Sequence, residues 1–342
     1  MKPVNASAVN HTAPDTYRTP AGLLALLALP KVGPVTALAA ALHRSALTRL
    51  LERHTAQLDG ALHRAGESLE RYRDAGVTVL TFFDEQYPDR LRDLPDPPPI
   101  LYLRGERRLL DRERLVAVVG TREPTSFGTT AATELTSALA QEGWGIVSGL
   151  AKGIDTTSHR AALDAGAPTI AVMGGGLDRI YPAENKSLAA RILDEGGLLV
   201  SEQPFGAQPR PQNLIARDRL QSGLSVAVLV AQCGIQSGTM HTARFAAGQA
   251  RPLFCPVPHS DHDASEGLRA LLERPASELC SILPAWRNAK ALCARLGPRP
   301  LGRPIEKGNV AKFIDDVALA VQWPRLSRDQ SNLLEPLELD FG

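Results

Sequence analysis

The sequence is poor in aromatic residues and almost without net charge. Aromatic side chains make up 5% of the 342 residues, and 38 basic residues face 37 acidic ones, which leaves a formal net charge of +1. Any affinity for a polyanion must therefore come from a local basic patch and not from the field of the whole chain. The hydrophobic fraction of 44% is high enough for a soluble protein with a buried core, and the length fits about two domains.

Cysteine is also scarce, and long apolar runs are missing. The four cysteines, Cys233, Cys255, Cys280 and Cys293, have no paired metal-ligand spacing and predict reduced thiols, two of them in apolar runs. Nowhere do about eighteen apolar residues follow one another, and the polar N-terminal residues lack the apolar centre of a signal peptide. These absences predict a cytoplasmic protein that is neither exported nor inserted into a membrane.

The pattern of the remaining residues divides the chain into four parts. We predict a disordered tail over 1–20, a small all-helical domain over 21–75, an α/β domain over 76–285 and a C-terminal extension of unknown role over 286–342. Within the helical part, the segment Leu29–Val35 lies between two apolar helical stretches. It is either a plain turn or a hairpin of the helix-hairpin-helix or SAM-like kind, which presents backbone N–H groups to a DNA phosphate.

The α/β domain is predicted from strand runs that are apolar throughout. The runs are VAVVG, GIVSG, TIAVMG, GLLVSE, SVAVLVA and RPLFCPV, and helical segments separate them. Continuous apolar strands alternating with helices indicate a mostly parallel, doubly wound sheet that is covered on both faces, as in an extended Rossmann-like fold. Two shorter strands, Val77–Leu80 and Ile100–Leu103, are predicted at the entrance to this domain.

In such a sheet, ligands bind beyond the carboxyl ends of the strands, so the loops that follow the strands carry the predicted site. Several of these loops offer glycine, serine or threonine together with an arginine or lysine, at positions where helix N-termini leave N–H groups free. The residues are Thr121, Arg122, Gly149, Lys152, Gly153, Asp155, Gly175, Tyr181, Asn185, Lys186, Arg217, Arg219, Ser237, Gly238 and Thr242. A polyanion suits such a row of anion sites better than one small phosphate does.

Three of these residues leave alternatives open. Tyr181 either stacks on a base or packs under its own loop, since a lone aromatic side chain is compatible with both. Arg217 and Arg219 would point to one side if their segment were extended, and would otherwise belong to a solvated face that carries an ion pair with Asp218. Asp155 is placed to cap the helix that follows it.

Signals for a cofactor or for catalysis are missing. The sequence contains neither a Walker loop nor a dinucleotide-binding G-x-G-x-x-G, so nothing predicts ATP or NAD. The run His259–Asp263 offers possible metal ligands but is more typical of an ordinary polar loop, and no metal is predicted. His159 and His241 have no evident partners for nucleophilic catalysis, so we predict a protein that is not an enzyme.

The order of these motifs resembles that of the DprA/Smf family. The similarity covers Gly76 to about Pro258 and rests on VAVVGTREPTSFG, SGLAKGID, GGGLDRIYPAEN and SGTMHTARFAAGQARPLFCPVP. The resemblance implies a Rossmann-like domain that binds single-stranded DNA, protects incoming DNA and loads the recombinase RecA in natural transformation. It also implies a homodimer. Arg122, Lys152 and Lys186 would be the principal phosphate contacts, and Arg217, Arg219, Ser237 and Thr242 would support them.

Two departures from the family pattern stand out. The family usually carries Arg-Asn-Arg where this chain has Arg217-Asp218-Arg219, and Glu-Ala where it has Gln232-Cys233. A specialised member of the family with another partner is therefore one alternative. A Rossmann-like module that senses a single nucleotide is the other, although the P-G-G-x-G-T-x-x-E motif of phosphoribohydrolases is absent.

Overall fold

The computed structural model describes residues 14–259, 262–282 and 298–322. Contacts divide these residues into two compact units. The first runs up to Tyr87 and includes Asp96–Leu101, and the second consists of Pro88–Pro95 and the residues from Tyr102 onward. The first thirteen residues and the part of the predicted C-terminal extension after residue 322 lie outside the described parts. No helix in the described parts is both long and apolar enough to cross a membrane.

The first unit is built from helices, as the apolar spacing predicts. Its helices are α1 (Pro20–Leu27), α2 (Pro34–Leu42) and α3 (Arg44–Asp74), and a short strand, β1 (Thr78–Thr81), follows them. Proline is the first residue of α1 and of α2, where its missing N–H costs no helical hydrogen bond. The segment Leu29–Val35 does connect two helices.

The start of this unit corrects one prediction. The sequence predicts a disordered tail over 1–20, but Pro14–Arg18 form a 3₁₀ turn and Pro20 begins α1. The physical reason is that Tyr17 is fully buried, and that the Thr19 side chain caps α1 by accepting a hydrogen bond from Gly22 N at 3.1 Å.

The second unit contains the predicted α/β sheet. Its strands are β2 (Ile100–Gly105), β3 (Leu115–Gly120), β4 (Gly145–Ser148), β5 (Thr169–Met173), β6 (Leu198–Ser201), β7 (Ala227–Gln232), β8 (Leu253–Pro256) and β9 (Gly302–Ile305). They are ordered β2-β6-β5-β4-β3-β7-β8-β9, and all neighbours are parallel except β2 and β6. All six apolar runs form strands, which confirms the mostly parallel Rossmann-like fold.

Helices follow the strands of this sheet. They are α4 (Asp89–Arg92), α5 (Ser126–Gln141), α6 (Ile154–Asp164), α7 (Lys186–Asp194), α8 (Pro211–Leu224), α9 (Thr239–Gly248), α10 (Glu266–Glu273), α11 (Ala276–Ile282) and α12 (Val310–Ala320). On one side of the sheet, Trp144, Ile146, Phe254 and Phe313 belong to one buried hydrophobic cluster. The chain builds outward from β3 to β6 and then returns to the other side of β3, so β3 and β7 flank the point where the strand order reverses.

The sheet extends into the segment predicted as a C-terminal extension. Strand β9 pairs with β8, and α12 contributes Phe313 and Val317 to the buried cluster. Our prediction of a helix between Lys307 and Val321 is confirmed by α12, but β9 has no strand signal in the sequence because Pro304 interrupts it. Proline cannot donate to a ladder and is tolerated in a strand of this kind at an edge.

Candidate functional site

A cleft of about 230 Å³ lies at the carboxyl ends of β3, β4 and β5. Its walls combine cationic side chains, glycine backbone and a few apolar groups. The lining residues are Arg122, Gly149, Ala151, Lys152, Met173, Gly174, Gly175, Arg179, Tyr181, Pro182, Pro209, Leu214 and Arg217. The cleft therefore gathers positive charge from three strand-to-helix loops and from helix α8.

Hydrogen bonds fix the loop after β3, which carries Arg122. Thr121 N donates to the Gln232 carbonyl at 2.8 Å, and the Thr121 carbonyl accepts from Ile154 N at 3.1 Å. The buried Gln232 side chain accepts from Thr125 N at 2.9 Å. Gln232, which departs from the family pattern, thus holds the Arg122 loop at the end of β7. Arg122 itself is exposed.

The loop after β4 carries Lys152 and depends on a buried carboxylate. Asp155 accepts hydrogen bonds from Gly149 N at 3.0 Å and from Ala151 N at 3.2 Å. We predicted that Asp155 caps helix α6, but it lies inside the first turn and binds the loop before the helix. Gly153 has a φ of +75°, a conformation that L side chains rarely adopt, so glycine is required where the loop enters α6.

The third loop is joined to the second by Asn185. Its side-chain amide donates to the Leu150 carbonyl at 2.8 Å and to Thr156 Oγ1 at 2.8 Å. Asn185 is buried, so its role in this structure is to hold two loops together and not to face the cleft. Tyr181, in contrast, is 45% exposed at the edge of the cleft.

Lys152 is the only exposed lining cation with an ion pair among the described residues. Its Nζ lies 2.5 Å from Glu184 Oε1, and both side chains are more than half exposed. The hydrogen bond to Glu184 raises the pKa of Lys152, and the same bond lowers the pKa of Glu184. Both groups therefore stay charged, and a phosphate at Lys152 has to compete with this carboxylate.

Helix α8 overturns the idea of an extended segment around Arg217 and Arg219. The segment is helical, and both arginines are buried. Arg217 lies beneath Gly149, and a Cβ on Gly149 would overlap its guanidinium. Arg219 forms a bidentate pair with buried Glu202, at 2.8 and 2.7 Å. The alternative of a solvated face is wrong too, because Arg217 and Arg219 are only 5% and 6% exposed. The ion pair with Asp218 that this alternative included is present, with Arg217 Nε 3.0 Å from Asp218 Oδ1.

The other predicted residues lie outside the cleft lining. Lys186 is exposed at the first residue of α7, and Ser237 and Gly238 precede α9. Thr242 is buried within α9, and its hydroxyl bonds to Asp218. The cation that sequence reasoning missed is Arg179, which lines the cleft three residues after the last glycine of the Gly174–Gly176 turn. Its position as the first basic residue after that glycine turn is the sequence feature that could have identified it.

Metal ligands do not gather in the described residues. His, Cys, Asp and Glu side chains form no group of three or more that could hold an ion there. Asp261 of the polar run His259–Asp263 lies outside those residues. Cys233 and Cys255 are both buried free thiols.

The family model and the curated relatives point to one family. The model of "DNA recombination-mediator protein A" matches residues 78–289. The DNA processing protein DprA of Bacillus subtilis is 40% identical over 58% of this chain and 66% of its own length, and the protein Smf of Synechocystis is 38% identical over 72% and 60%. The matches therefore span less than two thirds of these relatives.

Two solved structures of DprA proteins are similar to this chain. DprA of Streptococcus pneumoniae superposes with a TM-score of 0.62 at 28% identity, over 78% of this chain and 93% of the other. DNA processing protein A of Helicobacter pylori gives 0.57 at 30% identity, over 71% and 96%, and its structure was described for its mode of binding single-stranded DNA.

Proposed function

Because this chain belongs to the DNA recombination-mediator protein A family, we propose that it is a recombination mediator that binds single-stranded DNA in the cleft. The relatives named as DNA processing proteins support the general role. The Helicobacter pylori protein, which binds single-stranded DNA, supports the choice of ligand.

The observation that carries the proposal is the composition of the cleft. Arg122, Lys152 and Arg179 come from three successive loops along one edge of the sheet, and glycines leave the backbone accessible between them. A row of separate cations suits successive phosphates of a flexible strand. Because these contacts are to phosphate, we expect little preference for base sequence.

The same composition supports a function without catalysis. The lining residues include no carboxylate, histidine, cysteine or serine that would act as nucleophile or general base. Asp155 and Asp218 are buried, and Glu184 is held in an ion pair with the lining residue Lys152. We therefore propose a binding protein and not an enzyme.

The finer parts of the proposal follow from the DprA/Smf resemblance. They are protection of incoming DNA, loading of a RecA-type recombinase, assembly as a homodimer and a cytoplasmic location. The recombinase step is tested by co-precipitation of purified recombinase with this protein, with and without single-stranded DNA. Sedimentation of the free protein at several concentrations tests the dimer.

The DNA-binding proposal is tested by fluorescence anisotropy with single- and double-stranded oligonucleotides of several lengths at several salt concentrations. We expect tighter binding of single strands and a linear fall of log K with log salt. Arg122→Ala and Lys152→Ala should each weaken binding and reduce the salt slope by about 0.7, the value for one phosphate of a single strand. Arg160→Ala and Lys312→Ala are matched controls, because both residues are exposed and lie outside the cleft.

Two results would contradict the proposal. Binding that is independent of salt, or unchanged in both cleft variants, would exclude phosphate clamping by these residues. Saturable binding of one mononucleotide, with indifference to oligonucleotide length, would instead establish the nucleotide sensor.

A further inference from the structure

A buried charged cluster lies directly beneath the cleft. It consists of Arg217, Asp218 and Asp155, which we call the floor cluster. Arg217 Nε lies 3.0 Å from Asp218 Oδ1, and Arg217 Nη1 donates to the Val172 carbonyl at 2.9 Å. Arg217 also lines the cleft above, so the cluster connects the anion-binding surface to the protein interior.

The floor cluster holds two carboxyl groups for one buried guanidinium. If both acids were ionised, the buried group would carry a net negative charge, which is costly without solvent. Asp155 accepts two backbone N–H bonds, from Gly149 and Ala151, and these stabilise its ionised form. Asp218 has the Arg217 guanidinium and the Thr242 hydroxyl as partners. The proton that the cluster retains therefore belongs on Asp218.

The electrostatic surroundings agree with this assignment. Burial, together with the charge of Asp155, raises the pKa of Asp218 to about 7, although Arg217 and Arg122 oppose the rise. Burial raises the pKa of Asp155 as well. The two acids are coupled, and the better hydrogen-bonded one keeps the negative charge.

On the premise that the cleft binds DNA phosphate, we propose that Asp218 takes up a proton on binding and so sets the strength of phosphate binding. An ionised Asp218 neutralises Arg217 and repels a phosphate above the floor. A protonated Asp218 leaves the charge of Arg217 to act on the phosphate through a short path of low dielectric. Phosphate in turn favours the protonated form, since the two effects are reciprocal.

The direction of the pH dependence follows from the preference of phosphate for the protonated form of Asp218. Affinity is highest below the pKa of Asp218 in the free protein and falls as the pH rises through about 7. The charged groups that act on Asp218 are Arg217 on α8, Asp155 on α6 and Arg122 on the β3 loop, and the neighbouring helix α9 carries the titratable or charged side chains His241 and Arg244. Burial lowers the pKa of His241 below its ordinary value, and its protonation at lower pH would also add positive charge. A variant of Asp218 is needed to separate the two.

The test measures binding of a fluorescent oligo-dT from about pH 6 to about pH 8.5. We expect the wild-type protein to bind about three- to tenfold more weakly at the upper end. Asp218→Asn, which has the shape of the protonated acid, should bind tightly across the range with a flat profile. Calorimetry in buffers of different ionisation enthalpy should show proton uptake by the wild type near neutral pH and none by Asp218→Asn.

The outcomes separate this inference from the function on which it rests. Oligo-dT binding with the same pH profile and proton uptake in wild type and Asp218→Asn would overturn the role of Asp218 and leave DNA binding intact. If His241→Gln, and not Asp218→Asn, made oligo-dT binding independent of pH, the role of Asp218 would also be overturned and DNA binding would remain. Absence of oligo-dT binding at every pH would overturn the proposed function itself.

A second measurement does not depend on the variant. If Asp218→Asn does not fold, the carboxyl ¹³C shift of Asp218 in the wild type is followed against pH. A midpoint near 7 that moves upward when oligo-dT is added supports the proposal. A midpoint below about 5, or one that oligo-dT does not move, overturns it.

Discussion

The exposed cations around the cleft and the buried arginines of helix α8 are the same kinds of side chain in opposite situations. Arg122 and Arg179 lie exposed on loops and make no ion pair within the described residues. Arg219 is 6% exposed and paired with a buried glutamate through two hydrogen bonds. The first group has charge to offer a ligand, whereas the charge of Arg219 is already neutralised. The position of a basic residue near the proposed phosphate path is therefore not sufficient, by itself, to predict phosphate contact.

The largest expected effect is the loss of stability on removal of the buried Arg219 side chain. Arg219→Ala leaves Glu202 buried without its cation, and loss of one partner of a buried pair costs about 3–5 kcal/mol of unfolding free energy. Urea denaturation measures this loss. The matched control is Arg160→Ala, an exposed arginine whose removal should leave the midpoint unchanged. If Arg219→Ala were as stable as this control and bound DNA poorly, Arg219 would belong with the ligand-binding cations.

The buried carboxyl group of Asp218 should make the stability of the folded protein depend on pH. The folded-state pKa of Asp218 is about 7 against an ordinary value of 3.8, so between these pH values the folded state holds a proton that the unfolded state lacks. This contribution to stability is present at low pH and is lost as the pH rises through about 7. Asp218→Asn removes it, so the stability of the variant relative to wild type should increase with pH.

Urea denaturation of both proteins at about pH 5 and about pH 8 gives this difference. His159, whose pKa burial lowers to about 3, contributes a slope of opposite sign, but it is present in both proteins and cancels. A difference that does not change with pH would mean that Asp218 is ionised throughout this range.

The sequence predicted the sheet better than the site. The six apolar runs form strands because a parallel sheet that is covered on both faces requires apolar residues on both sides. Side-chain partners are not visible in this way, because Glu202 lies 17 residues from Arg219 and meets it only after α8 folds against the end of β6. The sequence predicted the loops after β3, β4 and β5 that line the cleft, but it also predicted the loop before α9, which does not line it. It did not predict that Arg179 lines the cleft while Lys186 does not.

The difference in position between Arg179 and Lys186 predicts an effect of intermediate size on DNA binding. Arg179→Ala should weaken binding of oligo-dT and reduce the salt slope by about 0.7, because one phosphate contact is lost. Lys186→Ala removes an equal charge outside the cleft and should change the slope less. Anisotropy titrations of the two variants at several salt concentrations make the comparison. A larger effect of Lys186→Ala would show that the strand continues along α7, beyond the cleft.

The smallest expected effect concerns Glu184, the acid that pairs with an otherwise exposed cation. Glu184→Gln removes the carboxylate that competes with phosphate for Lys152. An exposed pair of this kind contributes little to stability, so the unfolding midpoint should not change. Affinity for oligo-dT at low salt should rise by about two- to threefold, and the gain should disappear in the Lys152→Ala background. Weaker binding by Glu184→Gln would instead mean that Glu184 orients Lys152 toward the phosphate, and the pair would then belong to the binding surface as a unit.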